Sequence, residues 1–135
     1  MRVFLRRLDP AVLLRLGLGV MYLYSGTSLI RDPSEWRGFI PDWLILFVGP
    51  ILSPGQFLRF QGIFELLLAF LLLAWFLPKA ILRIASLVAA LEIAGILFVV
   101  GVDLVTFRDI GVLAAALALT VLAWRDPRQP VTIRS

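Results

Sequence analysis

Four stretches of this chain, residues 10–30, 56–77, 79–101 and 105–124, are each apolar over close to the ~20 residues that a helix needs to cross a ~30 Å hydrocarbon core. The chain therefore reads as all-α, an integral membrane four-helix bundle forming a single transmembrane domain over 1–135. Composition agrees, with 61% hydrophobic residues, 16% charged residues and a mean hydropathy of +0.97, where a soluble domain is roughly half apolar. The fourth stretch is the shortest. The apolar residues after Asp109 alone rise too little at ~1.5 Å each, so that span is begun near Val105 or Thr106.

The sequence contains no cysteine and no histidine. Disulfides, thiol relays, thiolate-held clusters, His-ligated haem and ordinary zinc or copper centres each need a sulfur or an imidazole nitrogen, so no covalent or metal cofactor is expected. The 13 basic residues are scattered among the spans, with no continuous patch of the kind nucleic acid binds. They act instead as topology signals. Arg2, Arg6 and Arg7 precede the first span, Lys79 and Arg83 sit at the second turnaround, and Arg125, Arg128 and Arg134 lie in a tail over 125–135. Arg31, Arg37, Arg59 and Arg108 fall on the other side among acidic residues. The positive-inside bias then places both termini in the cytoplasm of a multi-pass protein. A cleaved signal peptide competes for the first span, but Arg15 interrupts the apolar run and no small-x-small site follows. Asp9-Pro10 reads as the N-cap and first residue of a retained helix.

Residues 32–55 carry Asp32, Trp36, Phe39 and Trp43 ahead of an apolar core too short to span and broken by Gly49-Pro50. Aromatic rings favour the headgroup level, so this segment is expected to lie at the outer interface as a cap. A plain connecting loop is the alternative. Around Pro78 only a few residues join the second and third spans, which must form a tight antiparallel hairpin.

Glu65 and Glu92 then fall at similar depth on those neighbouring helices. A carboxylate in hydrocarbon costs at least ~2.5 kcal/mol, so each is expected to face inward and to pair with a base or hold a proton. Gln61 stands at i, i+4 from Glu65. Arg59 and Arg108 are the candidate bases, with Asp109 beside the latter. Tyr22, Ser25 and Ser28 approach from the outer part of the first helix, which gives one polar pocket open to the outer face and roofed by the 32–55 segment. Such groups also bind helices together without any further role, and that structural reading is the rival. Arg15 is expected to snorkel to phosphates. Ser86, Ala90 and Ala94 in the third span, and Gly111, Ala115 and Leu119 with Ala114 and Ala118 in the fourth, form small-residue stripes that let backbones approach. Gly17 and Gly19 read as contacts.

The order LLRLGLGVMYLYSGTSLIRDPSEW, FQGIFELLLAFLLLAWFL and FRDIGVLAAALALTVLAW resembles the DoxX family of small four-helix bacterial membrane proteins over residues 11–124. The resemblance rests on Arg15 with Gly19, Ser25-Gly26 leading to Asp32-Pro33 and Trp36, glycine followed by Glu65, and Arg108-Asp109. Members often carry a lysine where this chain has Leu29, with Arg31 nearby. The resemblance implies a bacterial cytoplasmic (inner) membrane protein that is a subunit of, or accessory to, a membrane redox complex handling sulfur or oxidative stress. Quinone is the implied small-molecule partner, and other oxidoreductase subunits or a homo-oligomer are the implied protein partners. No independent catalytic motif accompanies it. Two further functions compete: a non-catalytic assembly subunit docked through the external segment, and a small proton-coupled transporter, for which neither an inverted repeat nor a broken helix pair is visible.

Overall fold

The computed structural model describes residues 9–125. Arg2, Arg6, Arg7, Arg128 and Arg134, with most of the 125–135 tail, lie outside the described residues. The bundle comprises α1 (Pro10–Arg31), a 3-10 helix (Pro33–Phe39), α2 (Asp42–Val48), α3 (Pro54–Leu73), α4 (Lys79–Val100) and α5 (Phe107–Trp124). Helices α1, α3, α4 and α5 are long and apolar enough to cross a membrane, and the chain is an integral, multi-pass membrane protein. Residues 32–53 cover one end of the bundle, here the cap end. The α3–α4 turn lies at the other, the hairpin end.

Local chemistry sets the helix boundaries. Asp9 caps α1 by accepting the Ala11 N–H at 2.9 Å, with Pro10 in the first turn. Pro33 ends α1, since the residue before a proline is pushed out of helical geometry, and Asp32 sits at φ −137°, ψ 73°. Ser53 and Gln56 form a reciprocal capping box that starts α3 two residues earlier than residue 56. That helix also stops at Leu73, short of residue 77. Arg15 explains the early stop. Its guanidinium donates to the Leu72 carbonyl at 2.8 Å, which the end of the helix leaves open, and to the Ala74 carbonyl at 3.2 Å, which also accepts the Leu77 N–H at 3.4 Å, and it lies 4.3 Å above the Trp75 ring. Arg15 is therefore committed to α3 and does not reach out to phosphates.

A second clasp matches the first. Arg83 of α4 donates to the Ala123 carbonyl of α5 at 3.0 Å and lies 5.5 Å from the centre of the Trp124 ring. Both clasps sit at the hairpin end. Helix α1 packs mainly on α3, and α4 mainly on α5, while the seams between these two pairs are less extensive. In the first pair Gly26 and Gly62 face each other across the crossing, so close that a Cβ on either would meet the other's carbonyl oxygen at 2.8 Å.

Gly101, at φ +85°, ends α4 in the left-handed region that glycine tolerates. Asp103 then organises the turn. One carboxylate oxygen accepts from the backbone N–H of Val105 at 2.7 Å and of Thr106 at 2.8 Å, and the Thr106 hydroxyl donates to the Gly101 carbonyl at 2.7 Å. These bonds hold residues 105 and 106 outside the helix, which begins at Phe107.

The small-residue stripe expected in α4 is partly inside, with Ser86 and Ala90 buried. In α5 the buried positions are Ala116 and Leu119, whereas Gly111, Ala114 and Ala118 face outward. Of the expected α5 stripe, Leu119 and Ala115 thus pack inward, while Gly111, Ala114 and Ala118 do not. Gly19 does make a contact, against the Leu73 side chain; Gly17 touches nothing. The dry core, built on Leu18, Leu68, Leu72, Ala85, Ala89 and Leu119, fills the hairpin half of the bundle. The cap half is hollow.

Candidate functional site: an acid layer beneath an aromatic roof

The hollow is a cavity of about 530 Å³ bounded by all four long helices and the cap. Its floor is a hydrogen-bonded layer. Ser25 of α1 donates through its hydroxyl to one oxygen of Glu65 on α3. The Gln61 amide nitrogen bridges the two acids, donating to Glu65 Oε1 at 3.5 Å and to Glu92 Oε1 on α4. The Tyr22 hydroxyl, also on α1, donates to the Ala89 carbonyl at 3.3 Å. Three helices thus meet through one chain of polar groups, with the two carboxyls of adjoining spans tied through a single amide. Glu65 is 6% exposed. Glu92 Oε2 is buried and accepts no hydrogen bond from the described residues, a costly condition for a carboxyl oxygen that makes this the least satisfied polar atom of the layer.

The bases expected beside these acids are not there. Arg59 is exposed and lies outside the cavity. Six residues separate it from Glu65, which at ~100° per residue turns it about 120° away from the acid's face of α3. Arg108 does border the cavity, but at its exposed rim, where its Nε donates to the Val105 carbonyl at 3.4 Å. Asp109 is half-buried on the same border. Among the described residues neither Glu65 nor Glu92 forms an ion pair. A carboxyl without a cation at this depth is accommodated by hydrogen bonds or by a proton, and the chain supplies the former through Ser25 and Gln61.

The roof comes from the cap. Trp36, Phe39, Ile40, Pro41 and Leu44 line the cavity. Trp36 and Phe39 are tilted against each other with ring centroids 5.9 Å apart. Ser28 stands behind the roof, accepting the Trp36 indole N–H at 2.9 Å, which fixes the ring over the cavity. Two expected cap residues lie in the cap but do not line the cavity. Asp32 accepts from the Ser34 hydroxyl and stays exposed, and Trp43 is 56% exposed on α2 outside the cavity. Trp43 joins Leu46, Phe47 and Ile51 in an exposed apolar face of the cap, suited to the membrane interface.

The sequence had signalled Tyr22, Ser25, Gln61, Glu65 and Glu92, and these converge. It had not signalled the wall residues Leu58, Ile93, Ile96 and Val99, whose exposure to the cavity follows only from the separation of the helix pairs. Nor had it signalled the Gly26–Gly62 crossing. This approach brings α1 against α3 one turn from Glu65, where the short Ser25 side chain can reach the acid.

Among the described residues no cluster of three or more acidic side chains is arranged to hold a metal ion. Comparison with protein-family models, with curated proteins and with solved structures finds no match for the chain. What stands on its own geometry is a four-helix membrane protein with a largely buried acid–amide–acid layer at the floor of an open cavity.

Proposed function

We propose that this protein binds the polar head of a membrane-dissolved amphiphile, of which quinone is the type, and serves as a DoxX-like subunit of, or accessory to, a membrane redox complex. One observation carries the binding reading: a cavity of about 530 Å³, largely apolar in its walls, converges on Ser25, Gln61, Glu65 and Glu92 under an aromatic roof. That size falls within the ~300–1,000 Å³ range of small-molecule sites, and a few convergent polar groups in an apolar shell are how such sites orient a ligand. The redox association rests on the resemblance. Electrons for any quinone reduction would come from a partner protein, and Glu65 and Glu92 would exchange the accompanying protons at the ring oxygens.

Trp36 is the one tryptophan of four that lines the cavity. In lipid nanodiscs a short-chain benzoquinone is expected to quench tryptophan emission saturably, and Trp36→Phe is expected to remove the saturable component. In native membranes Glu65→Gln is expected to lower quinone-dependent electron transfer. Non-saturable quenching identical in Trp36→Phe, together with undiminished electron transfer in Glu65→Gln, refutes the reading in favour of a purely structural polar layer within an assembly subunit.

A further inference from the structure

We infer that the seam between α3 and α4 at Gly95 is a lateral portal, through which the apolar tail of the cavity's occupant passes into the membrane leaflet on the cap side. The tail as occupant rests on the proposed amphiphile reading; the portal itself rests on geometry. Helical periodicity puts Leu91 and Phe98, exposed by 64% and 91%, on the lipid face of α4. Glu92, Ile96 and Val99 sit on the cavity face. Gly95 lies between the two faces, three residues beyond Glu92, and belongs to both: it is exposed and it lines the cavity. A Cβ built there would meet nothing within 4 Å. The backbone therefore forms the rim, and the absent side chain leaves the rim open.

The depth of this rim fixes what it opens onto. Gly95 stands five residues before Val100, the end of α4, or ~8 Å along the axis at 1.5 Å per residue, which is inside the hydrocarbon of one leaflet. The residues around it are apolar: Phe57 and Leu58 across the seam on α3, Ile96 and Val99 on α4. On the opposite side of the cavity, in the first turn of α5, the border is polar, with exposed Arg108 and half-buried Asp109. The cavity thus has a greasy side toward lipid and a wet side toward the cap-end surface, which suits a head held at the acid layer with its tail leaving sideways.

The test compares two quinones, one with no tail and one with a ten-carbon tail, in nanodiscs containing wild type or Gly95→Leu. The leucine is expected to weaken binding of the tailed quinone at least tenfold while leaving the tail-less quinone within about twofold. Equal loss for both, or no change for either, overturns the portal. A ligand-independent arm uses the natural lack of cysteine. A spin label on Gly95→Cys is expected to collide with oxygen far more than with a water-soluble nickel chelate, and a label on Arg108→Cys is expected to show the reverse. Preferential nickel access at position 95 overturns the portal even if quinone binds. Wild type that binds neither quinone, with oxygen-dominated access at position 95, overturns the quinone reading and leaves the portal standing.

Discussion

Replacing Gly62 by alanine should destabilise the bundle through one contact whose size can be worked out. The new Cβ would stand 2.8 Å from the Gly26 carbonyl oxygen and 2.9 Å from both Leu29 Cβ and Ile30 Cγ1, where ordinary van der Waals contact begins near 3.4 Å. The shortfall is about 0.6 Å. Two of the three obstructing atoms are backbone oxygen and Cβ, which no rotamer change can move, so α1 and α3 must separate along their most extensive contact. Overpacking of this kind costs ~1–3 kcal/mol. Alanine returns up to ~1 kcal/mol in helix propensity, which leaves a net loss of ~0–2 kcal/mol against wild type and the full ~1–3 kcal/mol against a glycine-to-alanine control that keeps the propensity gain. Gly17→Ala and Gly111→Ala serve as controls, because a Cβ at either position meets nothing within 4 Å and only the propensity gain remains. The assay is reversible unfolding in mixed micelles. Gly26→Ala should cost as much as Gly62→Ala, and the double variant less than their sum, since the first substitution already parts the helices. If Gly62→Ala is as stable as Gly17→Ala, the crossing does not hold the helices together and this account of why Ser25 reaches Glu65 fails with it.

Removal of Arg15 should have a different signature. Arg15→Ala leaves the Leu72 and Ala74 carbonyls without their charged donor and should cost ~1.5–3 kcal/mol, with Arg15→Lys recovering part of it; equal stability of all three in the same unfolding assay refutes the clasp. Asp103 should confer a pH dependence on the α4–α5 turn. The backbone N–H groups of Thr106 and Val105 hold its carboxyl below the usual aspartate range, so the turn is fully stabilised above the unfolded-state value and loosens as pH falls through the lower folded one. Protection of the Val105 and Thr106 amides, taken relative to their intrinsic exchange rates at each pH, should fall at that acid end, and in Asp103→Ala it should be low already at neutral pH; protection unchanged by the substitution would contradict this.

The spans were legible because apolar length is an integral over many residues and tolerates local irregularity. The meeting of Glu65 and Glu92 was legible too, since a short turn forces α3 and α4 to be neighbours and counting from that turn gives depth. Arg59 shows where counting by proximity misleads. It lies close to Glu65 in sequence, but six residues at 3.6 per turn point it elsewhere, whereas Gln61 at four residues shares the acid's face. Arg15 was misread for another reason. Its acceptors are backbone carbonyls more than fifty residues away, and a carbonyl leaves no mark in a sequence. Gly26 and Gly62 carry no signature either, because glycines that meet look the same as glycines that do not until the helices are placed. The hollow itself was inferred from its polar floor alone, while its walls depend on how far two helix pairs stand apart.

The placement of both arginine–tryptophan clasps at a single end gives the molecule a mechanical bias. Each fastens one antiparallel pair where that pair's second helix ends, and the dry core fills the same half. Each clasp keeps its own pair rigid, and the core shared by the two pairs joins them at that end, so relative tilting of the pairs has its fulcrum in that core and displacement grows with distance from it. Over a lever of ~30 Å, the length of a twenty-residue helix, a tilt of ~3° moves the far tips by ~1.5 Å, about the radius of a water molecule. Small angular fluctuations would thus widen or narrow the chamber while leaving the packed end undisturbed, so a peg-like opening comes from where the shared core sits and requires no hinge within any helix.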